Sequence, residues 1–188
     1  LRVLGVAMKK KGNLTEEKSM VFLGLAGMID PPRDEAKGAV ESFKGAHVDT
    51  VMITGDHVDT ALTIAKELGI ARGKSQCMTG GEIEELSSSQ FAEKIGKVRV
   101  FARVSPEHKV RIVEGYRTLG KTVAMTGDGV NDAPSLQAAD IGIAMGMNGT
   151  DVARGAADFV LMDDNFATIH TAIREGRGIY EQTRKSVL

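Results

Sequence analysis

Short apolar runs alternate with segments of helical spacing along most of the 188-residue chain. The run Val48–Ile53 ends in Thr54-Gly55-Asp56 and is followed by a predicted helix over His57–Leu68. Strands that alternate with helices build a mostly parallel sheet, because parallel neighbours need a crossover connection. The pattern therefore predicts an α/β fold, Rossmann-like, with helices on both faces of the sheet and ligands beyond the carboxyl ends of the strands.

The other predicted elements continue this alternation. Further strands are predicted at Arg2–Met8, Met20–Met28, Val98–Phe101, Thr122–Met125, Ile141–Ala144 and Phe159–Leu161. Further helices are predicted at Asp34–Phe43, Pro106–Leu119, Asp132–Ala138, Val152–Ala156 and Phe166–Lys185. The polar segment Lys9–Ser19 is predicted to be a loop, and Arg72–Ser89 an irregular excursion from the sheet.

Composition excludes several classes of function. The 24 Lys and Arg residues balance 25 Asp and Glu residues, so no broad basic surface for nucleic acid is expected. Cys77 is the only cysteine, which excludes an internal disulfide and a cysteine-rich metal site. The longest apolar run, Met20–Ile29, is about half as long as a membrane-spanning helix requires.

A dense polar segment, Thr126 to Asp132, follows the predicted strand Thr122–Met125. Asp128 and Asp132 are four residues apart with two glycines between Thr126 and Val130, which suits a site for Mg²⁺ bound by carboxylate, phosphate and water oxygens. The alternative is a polar turn in which Asp132 caps the following short helix.

Two other positions suit a phosphate. Thr54 and Gly55 precede a helix start, where backbone amides and a hydroxyl can bind an anion, although Asp56 could simply cap that helix. Lys109 lies in the first turn of a predicted helix, where the helix dipole disfavours a cation. It is either a phosphate ligand or a solvated surface lysine.

The segment Gly115 to Thr122 matches the P-loop pattern letter for letter. A working P-loop follows a strand and opens a helix, whereas here a helix ends and a strand begins. We therefore do not interpret this segment as a nucleotide site.

Together the motifs resemble the haloacid dehalogenase superfamily, and within it the phosphorylation domain of P-type cation-transporting ATPases, closest to the calcium-pump branch. The matching segments are Met28–Arg33, Met52–Asp56, Phe101–Lys109, Met125–Pro134, Gly149–Ala153, Ala156–Asp158 and the stalk-like Glu175–Tyr180. The resemblance covers nearly the whole chain and is weakest over Arg72–Lys97.

The resemblance implies a role for each matched residue, with ATP and Mg²⁺ as cofactors. Asp128 is expected to bind Mg²⁺, Lys109 and Thr54 with Gly55 to hold the transferred phosphoryl group, and Asp132 to support this loop. The residues expected to contact nucleotide or phosphate are Arg2, Asp56, Arg103 and Asn131.

One departure from the family is decisive. The phosphorylated aspartate of the family lies in an Asp-Lys-Thr-Gly-Thr motif, which this chain lacks. In the family that aspartate ends a central strand, so the central nucleophile strand is expected to be absent from this chain. Because unpaired strand edges inside a sheet are costly, another segment, another copy or a rearranged sheet is expected to fill the gap.

The expected division is residues 1–18 as the end of a nucleotide-binding domain, 19–165 as phosphorylation domain and 166–188 as a stalk helix. Both ends are expected to be cuts in a longer pump whose remaining domains and transported cation, Ca²⁺ by similarity, are the partners, without nucleic acid. Such a fragment would lie at the cytoplasmic face of a membrane. The alternatives are a soluble phosphatase of the same superfamily and a non-catalytic phosphate- or nucleotide-binding module.

Overall fold

The computed structural model describes residues 2–9, 20–28 and 31–187, which divide into two units between Pro32 and Arg33. The first unit is a hairpin of two antiparallel strands, β1 (Arg2–Met8) and β2 (Val21–Met28), with a register irregularity between Val6 and Ala7. Both predicted strands are confirmed. The expected domain boundary between residues 18 and 19 separates two strands that pair, so the structural division lies elsewhere, while the roles expected of the domains stay predictions.

The described residues of the second unit form six further strands and eight helices. The strands are β3 (Met52–Ile53), β4 (Cys77–Thr79), β5 (Val100–Ala102), β6 (Ala124–Gly127), β7 (Ile141–Met145) and β8 (Phe159–Leu161). The helices are α1 (Asp34–Gly45), α2 (Val58–Glu67), α3 (Gly80–Glu85), α4 (Ser88–Ile95), α5 (Pro106–Thr118), α6 (Ala133–Ala138), α7 (Asp151–Ala156) and α8 (Phe166–Val187). Two 3-10 turns lie at Lys74–Gln76 and Val130–Asp132.

All strand pairs of the second unit are parallel, which confirms the predicted α/β class. They form two separate three-stranded sheets with the orders β3-β5-β4 and β6-β7-β8. Strands β3 and β6 each have one edge without a strand partner in the described part of the chain. No described segment fills this position and the described strands do not rearrange to close it, so the expectation of a rearranged sheet is wrong. The expectation that a further segment or another copy fills the gap stays a prediction.

Helix α5 packs between the two sheets. Its Ile112 belongs to a buried cluster with Ile83, Phe91, Ile95 and Phe101. The next residue, Val113, belongs to a different cluster with Met125, Leu136, Ala144 and Ala153. Ile53 at the end of β3 packs against both clusters. A third buried cluster packs α2 against β5. Its members are Ala61, Ala65, Ala71, Val100 and Ala102.

The prediction of an irregular excursion from the sheet over Arg72–Ser89 is wrong: this segment forms β4, which pairs with β5 in the sheet, then α3 and the start of α4. Each of its two helices begins at a capping box formed by residues close together in the sequence. Thr79 and Glu82 form a reciprocal capping box at α3, and Ser87 and Gln90 form another at α4. Each box satisfies backbone N–H groups that a helix start leaves without partners.

The long helix α8 packs on α1, far away in the sequence. The rings of Phe43 and His170 meet edge to face with centroids 6.5 Å apart, and the Arg177 guanidinium donates to the Ala46 carbonyl at 2.8 Å. Just before α8, the Asp164 carbonyl accepts a hydrogen bond of 2.7 Å from Arg33. Among the described helices, none combines the length and apolar character needed to cross a membrane.

Substitution of Gly115 tests the close approach of α4 to α5. A β-carbon there would lie 2.7 Å from Ile95 Cδ1 and 2.8 Å from Phe91 Cε1. Gly115→Ala should lower the free energy of unfolding by about 1–3 kcal/mol through overpacking, measured by urea denaturation followed by far-UV circular dichroism.

Gly38→Ala in α1 is the matched control, because a β-carbon at that position would meet no atom within 4 Å. Alanine at this exposed helical position should stabilise the chain by up to about 1 kcal/mol. Equal effects of the two substitutions would contradict the close packing at Gly115.

Candidate active site

The centre of the candidate site is an ion pair between α5 and the loop after β6. Lys109 Nζ lies 2.5 Å from Asp132 Oδ1, and the two side chains are 21% and 9% exposed. The other carboxylate oxygen of Asp132 accepts the backbone N–H groups of Asp128 at 3.2 Å and Gly129 at 3.1 Å. Asp132 thus fixes both the lysine and the loop.

Asp132 is held in its ionised form. Burial by itself would raise its pKa, but the hydrogen bonds from Lys109 and from the Gly129 and Asp128 backbone outweigh this effect and lower the pKa below its usual value. The Asp132 side chain makes no capping bond to α6, so the cap alternative is wrong for this residue. The two bonds that it accepts from the Asp128 and Gly129 backbone support the expected role of Asp132 in holding the loop after β6.

Gly127 makes room for this arrangement. A β-carbon there would lie 2.8 Å from Asp132 Cγ and 3.0 Å from its Oδ2. The glycine of the Thr126-Gly127-Asp128 motif is therefore required by the buried carboxylate that follows it.

Asp128 is the carboxylate left for a metal. Its side chain is exposed and makes no hydrogen bond or ion pair within the described part of the chain, while its carbonyl accepts the Thr150 N–H at 2.8 Å. The described residues contain no group of three or more His, Cys, Asp or Glu side chains that could hold a metal. This donor set fits Mg²⁺ held by one carboxylate together with phosphate and water, and it does not fit a closed all-protein metal site.

The loop Thr54-Gly55-Asp56 follows β3 and forms backbone hydrogen bonds with β5 and the residue that follows it. Thr54 donates from its backbone to the Phe101 carbonyl at 2.9 Å, and Arg103 donates to the Asp56 carbonyl at 3.1 Å. Within the loop, the Thr54 hydroxyl donates to the Asp56 carboxylate at 3.0 Å. His57, rather than Asp56, caps α2 through its Nδ1, so the carboxylate of Asp56 is not used as a cap.

The structure groups some predicted residues and separates others. Lys109, Asp128 and Asp132 share one cleft, whereas Asp56 and Arg103 are joined through their backbone. Arg103 has a positive φ of 51°, uncommon for a residue with a side chain. Asn131 is exposed and does not line this cleft, nor does Thr54. The side chain of Arg2 lies outside the described residues.

The shared cleft has a volume of about 860 Å³. Lys109, Asp128 and Asp132 give it a polar end, and its walls include side chains at or beside the free edges of both sheets. These wall residues are Val51, Ile53, Val123, Ala124, Met125 and Thr126. The cleft therefore extends from the ion pair along the free edges of β3 and β6, where apolar side chains of both strands line it.

Sequence reasoning missed Asp164, which is 2% exposed. Its carboxylate accepts the backbone N–H groups of Met147 and Asn148 at 3.0 and 2.9 Å, and the Asn148 side-chain amide. Burial favours a higher pKa, but these donors outweigh it and lower the pKa of Asp164. Its sequence position did not identify it, because the residues that bind its carboxylate lie 16 or 17 positions earlier in the chain.

A family model described as haloacid dehalogenase-like hydrolase matches residues 7–140, and a second model with the same description matches residues 110–173. Among curated proteins, the chain is 55% identical over its whole length to "Calcium-transporting ATPase 1" of Bacillus cereus, covering 22% of that protein. It is 47% identical over its whole length to the human "Calcium-transporting ATPase type 2C member 2", covering 19% of it. The chain spans about a fifth of the length of these relatives.

A solved structure of the catalytic domain of the CPx-ATPase CopB-B is also similar. It shares 29% identity at a TM-score of 0.58, over 83% of this chain and 50% of that chain.

Lowering the pH tests the Asp132 network. Because the folded pKa of Asp132 lies below its unfolded value of about 4, the carboxylate stabilises the fold above that pH, and this contribution is lost as the pH falls through the folded pKa. Asp132→Asn should lower the free energy of unfolding at pH 7 by about 1–3 kcal/mol, since a charged acceptor is lost.

The difference between Asp132→Asn and the unsubstituted chain should shrink as the pH is lowered from about 5 towards 2 in urea titrations. Glu175→Gln is the control, because this exposed residue of α8 pairs only with its neighbour Arg174 among the described residues. A difference that stays constant across this pH range would argue against the network.

Proposed function

The chain belongs to the haloacid dehalogenase-like hydrolase family, and from this premise we propose that it is part of the phosphorylation domain of a calcium-transporting P-type ATPase. In this role it contributes the phosphate, Mg²⁺ and nucleotide contacts for forming and hydrolysing an aspartyl phosphate. The similarity to two calcium-transporting ATPases over the full chain supports the ATPase over a soluble phosphatase or a non-catalytic module.

The proposal depends on the different contacts of three charged side chains that share one cleft, those of Lys109, Asp128 and Asp132. The Asp132 carboxylate accepts hydrogen bonds from Lys109 and from two backbone amides. The Asp128 side chain is exposed and makes no hydrogen bond within the described part of the chain. Phosphoryl transfer requires positioned positive charge and a metal around spread negative charge, and little covalent chemistry by the protein. A fixed cation beside a free carboxylate supplies both requirements.

Each predicted residue has a part in this proposal. Lys109 binds the transferred phosphoryl group, which Thr54 and Gly55 contact from the loop after β3. Asp128 holds Mg²⁺, which when bound neutralises negative charge on the phosphate oxygens. Asp56, Arg103 and Asn131 contact ATP or its phosphates. The assignment of Arg2 to nucleotide binding stays a prediction, since its side chain is outside the described residues.

The acceptor aspartate must come from outside this chain, on a strand between β3 and β6. Both strands have a free parallel edge in the described part of the structure, and apolar side chains of both strands line the cleft. A central strand of a parallel sheet is buried on both faces and pairs on both edges. Its carboxyl end would lie near the polar end of the cleft, beside Lys109.

The whole pump is also part of the proposal. Its remaining nucleotide-binding, actuator and transmembrane domains would be the partners of this segment, with α8 as the stalk towards the membrane and the chain at the cytoplasmic face. Hydrolysis of ATP would drive a cation across the membrane, and Ca²⁺ is the cation named for the relatives.

Labelling with γ-³²P-ATP and Mg²⁺ tests the proposal. The full-length protein should form an acid-stable phosphoenzyme, and the isolated 188-residue chain should form none because it lacks the acceptor motif. Acid-stable label on the isolated chain would show that it carries its own acceptor.

Asp128→Asn tests the metal ligand in the full-length protein. Loss of the carboxylate should slow Mg²⁺-dependent phosphorylation by roughly 100-fold or more, since charge stabilisation in the transition state is removed. Glu175→Gln, on exposed α8, is the charge-matched control and should keep the original rate. Phosphorylation of Asp128→Asn at the unsubstituted rate would refute the assigned role.

A further inference from the structure

Helix α3 lies in the segment Arg72–Lys97, where the resemblance to the family is weakest. It contacts the start of α5, the helix that carries Lys109. We propose that α3 positions Lys109 for phosphoryl transfer through its contacts with His108, and that His108 is a positioning residue of the reaction. This inference rests on the proposed function. It is carried by three contacts between α3 and residues 103–111.

The first contact is made by the imidazole of His108, which is 8% exposed. Its Nδ1 accepts the backbone N–H of Ser105 at 3.0 Å, and its Nε2 lies 3.0 Å from the Glu84 carboxylate of α3. Since Nδ1 accepts, Nε2 is the ring nitrogen that donates to Glu84. The ring thus ties the first turn of α5 to α3 and fixes its own orientation.

The second contact is made by Arg111, one turn further along α5. Its guanidinium donates to the Ile83 carbonyl at 2.7 Å and to the Leu86 carbonyl at 2.6 Å. These carbonyls belong to the carboxyl end of α3, where the Ile83 carbonyl also accepts the Leu86 N–H at 3.4 Å and the last carbonyls lack the usual helical partners. The same guanidinium lies 5.0 Å from the ring centroid of Phe91 in α4.

The third contact is the packing of Gly80, the first residue of α3. A β-carbon there would lie 2.9 Å from His108 Nδ1 and would also overlap the Arg103 carbonyl. Gly80 therefore lets α3 lie directly against the residues that lead into α5. At the adjacent Gly81 a β-carbon would meet no atom within 4 Å, so the close approach is specific to Gly80.

Lys109 lies between the two residues that α3 holds. His108 and Arg111 fix the first turns of α5 to the excursion, while the Lys109 side chain reaches Asp132 in the loop after β6. A displacement of about 1 Å at a reacting centre can cost roughly 100-fold in rate. A loosened α5 start would therefore affect the lysine before it affects nucleotide contacts on other elements.

The test uses the full-length protein and measures two quantities. These are the rate of phosphoenzyme formation at saturating Mg²⁺ and ATP, and the ATP dissociation constant. His108→Ala should slow phosphorylation about 10–100-fold and change ATP affinity less than about threefold. His108→Gln should restore the rate to within about threefold, because the glutamine amide can accept the Ser105 N–H through its oxygen and donate to Glu84 of α3 through its nitrogen, as the imidazole does.

A double-mutant cycle separates positioning from general destabilisation. If His108 acts through Lys109, His108→Ala should add little to the loss caused by Lys109→Ala. Fully additive losses, a wild-type rate for His108→Ala, or failure of glutamine to restore the rate would each overturn the inference. His170→Ala, in the contact of α8 with α1, is the control for histidine removal and should keep the original rate.

Gly80→Ala repeats the test without changing α5. It should slow phosphorylation, whereas Gly81→Ala should not. Equal rates for the two glycine variants would overturn the inference even if His108→Ala did not fold. Absence of a phosphoenzyme from the wild-type protein would instead overturn the proposed function, and with it the role of His108 in that reaction.

Discussion

Packing of α5 between two separate sheets is the constraint on which the rest of the structure depends. Consecutive residues, Ile112 and Val113, enter different buried clusters, and Ile53 reaches both. With no described strand joining β3 to β6, this helix is the main apolar connection between the halves. The same helix carries Lys109, so the residue proposed to bind phosphate sits on the element that holds the fold together.

The pair of Lys109 and Asp132 links packing to chemistry. A buried ion pair contributes little net stability unless further hydrogen bonds satisfy its charges, and here two backbone amides do so. The benefit lies in position: the carboxylate holds the lysine and the loop of Asp128 in one arrangement. A phosphate arriving beside Lys109 would meet a cation already oriented, which reduces the reorganisation that the reaction requires.

The alternation of apolar runs and helical spacing predicted most strands and helices of the second unit. The lengths of the strands and the burial of polar residues depend on tertiary contacts. The strand predicted over Val48–Ile53 pairs only at Met52–Ile53, because its single parallel partner is short. The capping boxes at Thr79 and Ser87 were readable in the sequence, so α3 and α4 could have been predicted. The burial of Asp164 could not, since its partners lie 16 or 17 residues away in a loop that only the fold brings near.

The contacts between α1 and α8 have a topological consequence. Arg33 and Asp164 form a hydrogen bond although they are 131 positions apart in the sequence, and so do Ala46 and Arg177. The intervening chain thus leaves and returns at neighbouring points, as in domains that tolerate insertion into a host sequence. A segment whose ends lie this close together can stand within a longer polypeptide without forcing the chain on either side of it apart.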